Sequence, residues 1–187
     1  MHKFLLLLLL VSCGIDRTTN SISSKETGIF NEYLKLDDSH QLQIASKDEL
    51  GERLTLCLTF IDKASEKPVK NRKIHFYHTD THGNYDPVIS SDESTARLSG
   101  SALTNHEGRS LVETILPGDY GSSSDNRHIH TNVTGASPEA YDIHFKQFTS
   151  MMGKRFVSGS DQHFLADLKR NADGSYIGFV TIAVKNP

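Results

Sequence analysis

The residues with the most chemistry to offer lie in two segments. The first is His128-Ile129-His130, inside a run that reads as a strand. In an extended chain both imidazoles project from one face, about 7 Å apart, close enough to share a metal ion. Imidazole is a frequent metal ligand, although alternating histidines on an exposed strand also occur without one. Eight residues before His128 stands Tyr120, directly after the rigid turn Pro117-Gly118-Asp119, and Ser122-Ser123-Ser124 gives the slack to bring a phenol back over the strand. The second segment, Ile74 to Tyr85, is a strand running into a turn at Gly83-Asn84 and ending on a tyrosine. His75, His78, His82 and Asp80 crowd it and suggest zinc. Against zinc, His75 and His78 point to opposite faces of a strand, and structural zinc sites normally recruit thiolates as well.

Taken in order, these segments resemble the intradiol ring-cleavage dioxygenases, the family of protocatechuate 3,4-dioxygenase and catechol 1,2-dioxygenase. Ile74 to Tyr85 is similar to the family strand V-E-V-W-H-A-N-x-x-G-N-Y, with Tyr77 at the tryptophan. Asp62 to Val69 resembles the turn before it. Thr104 to Gly108 and Thr114 to Tyr120 match the T-D-x-x-G and T-I-x-P-G-x-Y elements, and His128-Ile129-His130 the H-I-H. The resemblance covers about Leu54 to Thr134.

It implies Fe(III) held by Tyr85, Tyr120, His128 and His130, with water or hydroxide as a fifth ligand. Two phenolates are hard anionic donors that favour ferric over ferrous iron, and two neutral imidazoles complete the set. The implied reaction opens a catechol-type ring with O2 to a cis,cis-muconate-type diacid. Tyr120 leaves the metal and takes a substrate proton, while Tyr85 stays. Two positions depart from the pattern. The family arginine three residues before the first histidine is replaced by Asp125, which leaves Arg127 as the nearby catalytic substitute. The family's T-Q-x-Y-F segment is replaced by Tyr141-Asp142-Ile143-His144-Phe145. The alternative function is a non-catalytic, metal-binding surface module, since sandwich folds host many activities.

The elements that must position these residues are strands. Leu54 to Ile61, Lys73 to Thr79, Ser110 to Ile115, Arg127 to Thr134 and Tyr176 to Lys185 alternate with period two and are rich in β-branched and aromatic residues. Turns at Asp62 to Pro68, Gly83-Asn84, Asn105 to Gly108, Pro117-Gly118 and Asp173-Gly174 separate them. This predicts an all-β, antiparallel sandwich of the intradiol dioxygenase type, with short helices only at its periphery. The best helical segment is Ser137 to Met152. Cys57, in Leu54 to Phe60, reads as a buried and inert core thiol.

Met1-His2-Lys3, the apolar run Phe4 to Val11 and the sequence Leu10-Val11-Ser12-Cys13 read as a bacterial lipoprotein signal. The run is far short of the roughly 20 residues a membrane-crossing helix needs. The expected organisation is a signal peptide over 1–12, lipidated Cys13 and a polar tether over 13–29, and one domain over 30–187. Two or more acyl chains on Cys13 give a stable membrane anchor, which places the protein outside the cytoplasm. A net charge of −3, with no long block of one sign, gives no footprint for nucleic acid. The expected partners are a small catechol-type substrate, O2 and the membrane.

Overall fold

The computed structural model describes residues 19–119, 126–185 and 187, with the side chains of 151–153 and 156 set aside. Its elements in chain order are α1 (Ser24–Tyr33), β1 (Gln41–Gln43), β2 (Arg53–Asp62), β3 (Lys73–His78), β4 (Leu98–Leu103), β5 (Arg109–Ile115), β6 (Asn126–Val133), β7 (Ala140–Thr149), α2 (Met151–Gly159), β8 (His163–Ala166), β9 (Lys169–Arg170) and β10 (Tyr176–Val184). The strands form two five-stranded sheets, ordered β1-β5-β2-β10-β9 and β4-β3-β6-β7-β8.

Side chains alternate across a strand, so each sheet turns one set inward. Leu54, Leu56, Leu58 and Phe60 of β2, and Val180, Ile182 and Val184 of β10, meet Ile74 and Phe76 of β3, Ile129 and Val133 of β6, and Tyr141, Ile143 and Phe145 of β7. Fully burying each such side chain stabilises by about 1.5–3 kcal/mol, which makes this seam the main source of stability. The expected sandwich is therefore present. Its sheets are mixed, however: β1 with β5, β10 with β2, and β7 with β8 run parallel.

Two expectations need correction. Ser137 to Met152, read as the best helix, is mostly strand β7, because Tyr141, Ile143 and Phe145 face the core while Asp142 and His144 face away. The helix that follows, α2, begins only at Met151. The segment read as tether contains most of α1. Ser23 and Glu26 form a capping box, the Ser23 hydroxyl accepting from Glu26 N–H and the Glu26 carboxylate accepting from Ser23 N–H, and this starts the helix inside the polar stretch. Phe30 and Tyr33 then cover Cys57, Leu111 and Ile177 on the outer face of the first sheet. Burial pushes the Cys57 thiol up to about 12, as an inert thiol requires.

Candidate metal centre

The outer face of the second sheet is polar. Tyr77 pairs with His130 across β3 and β6, His130 with Asp142 across β6 and β7, and Asp142 with His163 across β7 and β8, so the four side chains form one row. His128 and His144 are partners in the next row. The Tyr77 ring stacks on His130 at 4.5 Å between centroids.

Tyr85 reaches this face from the loop after β3. Asp80 shapes that loop, its carboxylate accepting from His82 N–H (2.8 Å) and Asn84 N–H (3.0 Å). The loop lies backbone to backbone against Pro117-Gly118-Asp119, where Gly118 N–H donates to the Asp80 carbonyl at 2.8 Å. A Cβ on Gly83 would collide with the Asp119 carbonyl, and one on Gly118 with Gly83 N and Thr81 O, so both glycines are required for the approach. Asp119 in turn accepts from Asn126 N–H at 2.9 Å, which fixes the start of β6 beside the turn.

Three donors meet there. Tyr85 Oη lies 2.8 Å from His130 Nε2, and His128 Nε2 lies 3.2 Å from the same nitrogen. Bonds of about 2.0–2.1 Å to one ion place neighbouring donors about 2.9–3.4 Å apart, so these separations fit a shared metal. The tautomers fit as well. His128 Nδ1–H donates to the Asn126 carbonyl (2.9 Å) and His130 Nδ1–H to Asp142 Oδ1 (2.7 Å), which leaves a lone pair on each of the two adjacent Nε2 atoms. Two lone pairs at that distance repel unless a cation lies between them. Burial, and then the charge of His130, lowers the His128 pKa and keeps that imidazole a neutral donor. For Asp142, burial alone would raise the pKa, but the His130 hydrogen bond and the surrounding imidazoles hold it below the usual carboxylate value.

The other residues singled out from sequence fall elsewhere. Tyr120, Asp125 and Cys13 lie outside the described residues. Arg127 is one residue out of phase with both histidines and does not join them. Its guanidinium covers the Phe148 ring at 4.6 Å, with Nε 3.8 Å from Asp119 Oδ2. His75 and His78 diverge: His75 bonds the Ser94 carbonyl (2.8 Å) and the Ser101 hydroxyl (3.1 Å) on the outer face. His78 is fully buried, between the Thr79 carbonyl and the Thr114 hydroxyl, each at 2.7 Å. Sequence reasoning missed Asp142, His144 and His163 as a group. The alternation of Asp142 and His144 was the available signal, masked by the helical reading of that segment.

A β-sandwich that brings a phenol and two strand-borne imidazoles together on one outer face offers the donors a metal ion would need. A family model described as Dioxygenase matches residues 26–183. The chain belongs to that family, the intradiol ring-cleavage dioxygenases. It is 33% identical over 90 residues to the catechol 1,2-dioxygenase of Acinetobacter baylyi, a match spanning 48% of this chain and 26% of that enzyme. An intradiol ring-cleavage dioxygenase from Tetranychus urticae shares the fold at a TM-score of 0.58 and 21% identity, covering 77% of this chain and 85% of that one. The dioxygenase domain of a carbohydrate-binding fusion protein from Streptomyces sp. SirexAA-E does so at a TM-score of 0.56 and 19% identity, covering 81% and 93%.

Proposed function

We propose that this protein is a non-haem Fe(III) intradiol dioxygenase that cleaves a catechol-type ring with O2 to a cis,cis-muconate-type diacid. The observation that carries the reading is the approach of Tyr85 Oη and His128 Nε2 to His130 Nε2 on the outer face of the second sheet. Tyr120 is the proposed fourth ligand, one residue beyond Asp119, whose carboxylate is already fixed against Asn126.

Fe(III) held there would supply a Lewis acid that favours the deprotonated form of a catechol, and loss of the two hydroxyl protons is what would leave the ring electron-rich towards O2. The two histidines keep their positions through turnover, because the Asn126 carbonyl and the Asp142 carboxylate fix both imidazoles. The Tyr120 phenolate accepts one of the two hydroxyl protons as the substrate docks. Arg127 acts in this reading as a positioning residue, steadying Asp119 and hence the turn that carries Tyr120. Asp142 and His144, standing in the segment where the family carries a glutamine, supply a polar wall beside the centre. The leader sequence supports export and anchoring through a lipidated Cys13, checked by metabolic labelling of the wild type against Cys13→Ser.

The test is metal content and visible spectrum of the purified protein, with and without a panel of catechols under O2. A red-brown tyrosinate-to-iron band that moves on adding a catechol, with oxygen uptake, is expected, as is its loss in Tyr85→Phe. Colourless, iron-free protein from iron-supplied cells would overturn the reading. Iron retained with no oxygen uptake on any catechol would leave a non-catalytic binding module.

A further inference from the structure

Beside the first centre lies a second convergence of donors. His144 Nε2 is 3.0 Å from His163 Nδ1, and Asp142 Oδ2 is 3.4 Å from the same nitrogen. The three residues present one donor atom each, all within 4.8 Å of one another. We propose that Asp142, His144 and His163 form a second cation site, distinct from the first, for a divalent transition metal such as Zn2+ or Co2+.

The donor set is two imidazoles and one carboxylate, which suits a borderline first-row dication, with solvent filling the remaining positions. The observed 3.0 and 3.4 Å separations are those that bonds of about 2.0–2.1 Å to a shared ion impose. His144 is 3% exposed, and its Nδ1 has no hydrogen-bond partner among the described residues. The polar contact of this buried ring therefore runs through Nε2, into the cluster. His163 and Asp142 are about a fifth exposed, and β8 is the edge strand, so an ion can arrive from solvent.

Asp142 divides its oxygens between the two places. Oδ1 accepts from His130 Nδ1–H, orienting that ring towards the first centre, while Oδ2 faces His163. A carboxylate anchored by one oxygen loses little further freedom when the other binds an ion, which favours binding. The two centres draw on different ligands, so donors of the first can be removed without removing any donor of the second.

The experiment uses Tyr85→Phe/His128→Ala, which removes two donors of the first centre and none of the second. After chelator stripping it is titrated with Co2+, following the cobalt absorption and the metal bound at equilibrium. One equivalent is expected, displaced by Zn2+. Adding His163→Ala should weaken binding by at least the roughly 10–100-fold that loss of an outer-shell partner costs. The near-isosteric Asp142→Asn in the same background should do likewise, and it stands in if His163→Ala fails to fold. Absence of Co2+ binding in the double variant, or affinity unchanged by both further substitutions, would overturn the proposal. Neither result bears on the iron band of the wild type, so the two readings fail separately.

Discussion

Phe179, Cys57 and Leu111 lie side by side across the outer face of the first sheet, and Tyr77, His130, Asp142 and His163 do the same across the second. Both rows arise from the same two-residue alternation. The first is apolar and needs a cover, which α1 supplies with Phe30 and Tyr33. The Tyr33 hydroxyl then meets the Thr59 hydroxyl at 2.6 Å, so the cover buries no unpaired phenol. The second row is polar, with His130 and His163 both turned to Asp142, and it stays within reach of solvent. What separates a sealed face from a working one here is the chemistry of one residue in two. The backbone is common to both.

Substitutions on the two rows should therefore read out differently. Leu111→Ala on the sealed face should lower stability by about 2–5 kcal/mol, the usual cost of emptying a buried leucine site, and leave metal content unchanged. His128→Ala on the open face should shift stability by no more than about 1 kcal/mol yet abolish the iron band proposed above. Urea unfolding and metal analysis of both variants check this together. If His128→Ala proved the less stable of the two, the open face would be structural and the comparison would fall.

The two rows were not equally legible from sequence. Strands β2, β3, β5, β6 and β10 were readable because each is rich in β-branched, aliphatic or aromatic residues with a largely period-two pattern, bounded by turn residues. His128 and His130 were readable as a pair from spacing alone. Tyr85 became a candidate ligand only through the ordered resemblance, since nothing local shows that the Gly83 loop docks on Gly118. The Asp142, His144 and His163 cluster stayed hidden for a different reason. It forms through the parallel pairing of β7 with β8, and which strands become neighbours in a sheet is a tertiary outcome. Strands β1, β8 and β9 have four residues or fewer, too few to show a period. Helix α1 was missed because its polar residues resemble a linker, and its apolar side is defined by the sheet it covers.

Acid should weaken the seam between the sheets before it affects the sealed face. His78 is fully buried between the sheets, and burial lowers its pKa from 6.5 to about 4. In the unfolded chain the ring takes a proton near pH 6.5; in the folded protein it does so only near pH 4. Between those values the unfolded state binds more protons, so stability is full above pH 6.5 and falls as pH drops towards 4, by about 3 kcal/mol in all. Urea unfolding at pH 7 and pH 5 should show wild type losing about 2 kcal/mol that His78→Gln does not lose. Equal losses in both proteins would assign the acid sensitivity to the outer-face imidazoles, His128 and His144, whose pKa values burial also lowers.

The smallest effect tests whether the cover on the first sheet is an independent part. Ser23 caps α1, and its hydroxyl also donates to Glu26 at 2.7 Å, while Glu26 reaches across to Lys169 of β9. Ser23→Ala removes the side-chain half of the capping box and should cost about 1 kcal/mol. The cost should appear as faster amide exchange confined to α1 and the Cys57 row, because α1 closes one outer face and contributes nothing to the seam between the sheets. Exchange in β6 and β7, which carry the proposed metal ligands His128 and His130 and the Asp142 and His144 side chains, should stay as in wild type. If protection fell in β6 and β7 as well, the two outer faces would be coupled through the core, and a sealed face and a working face could no longer be treated as separately adjustable.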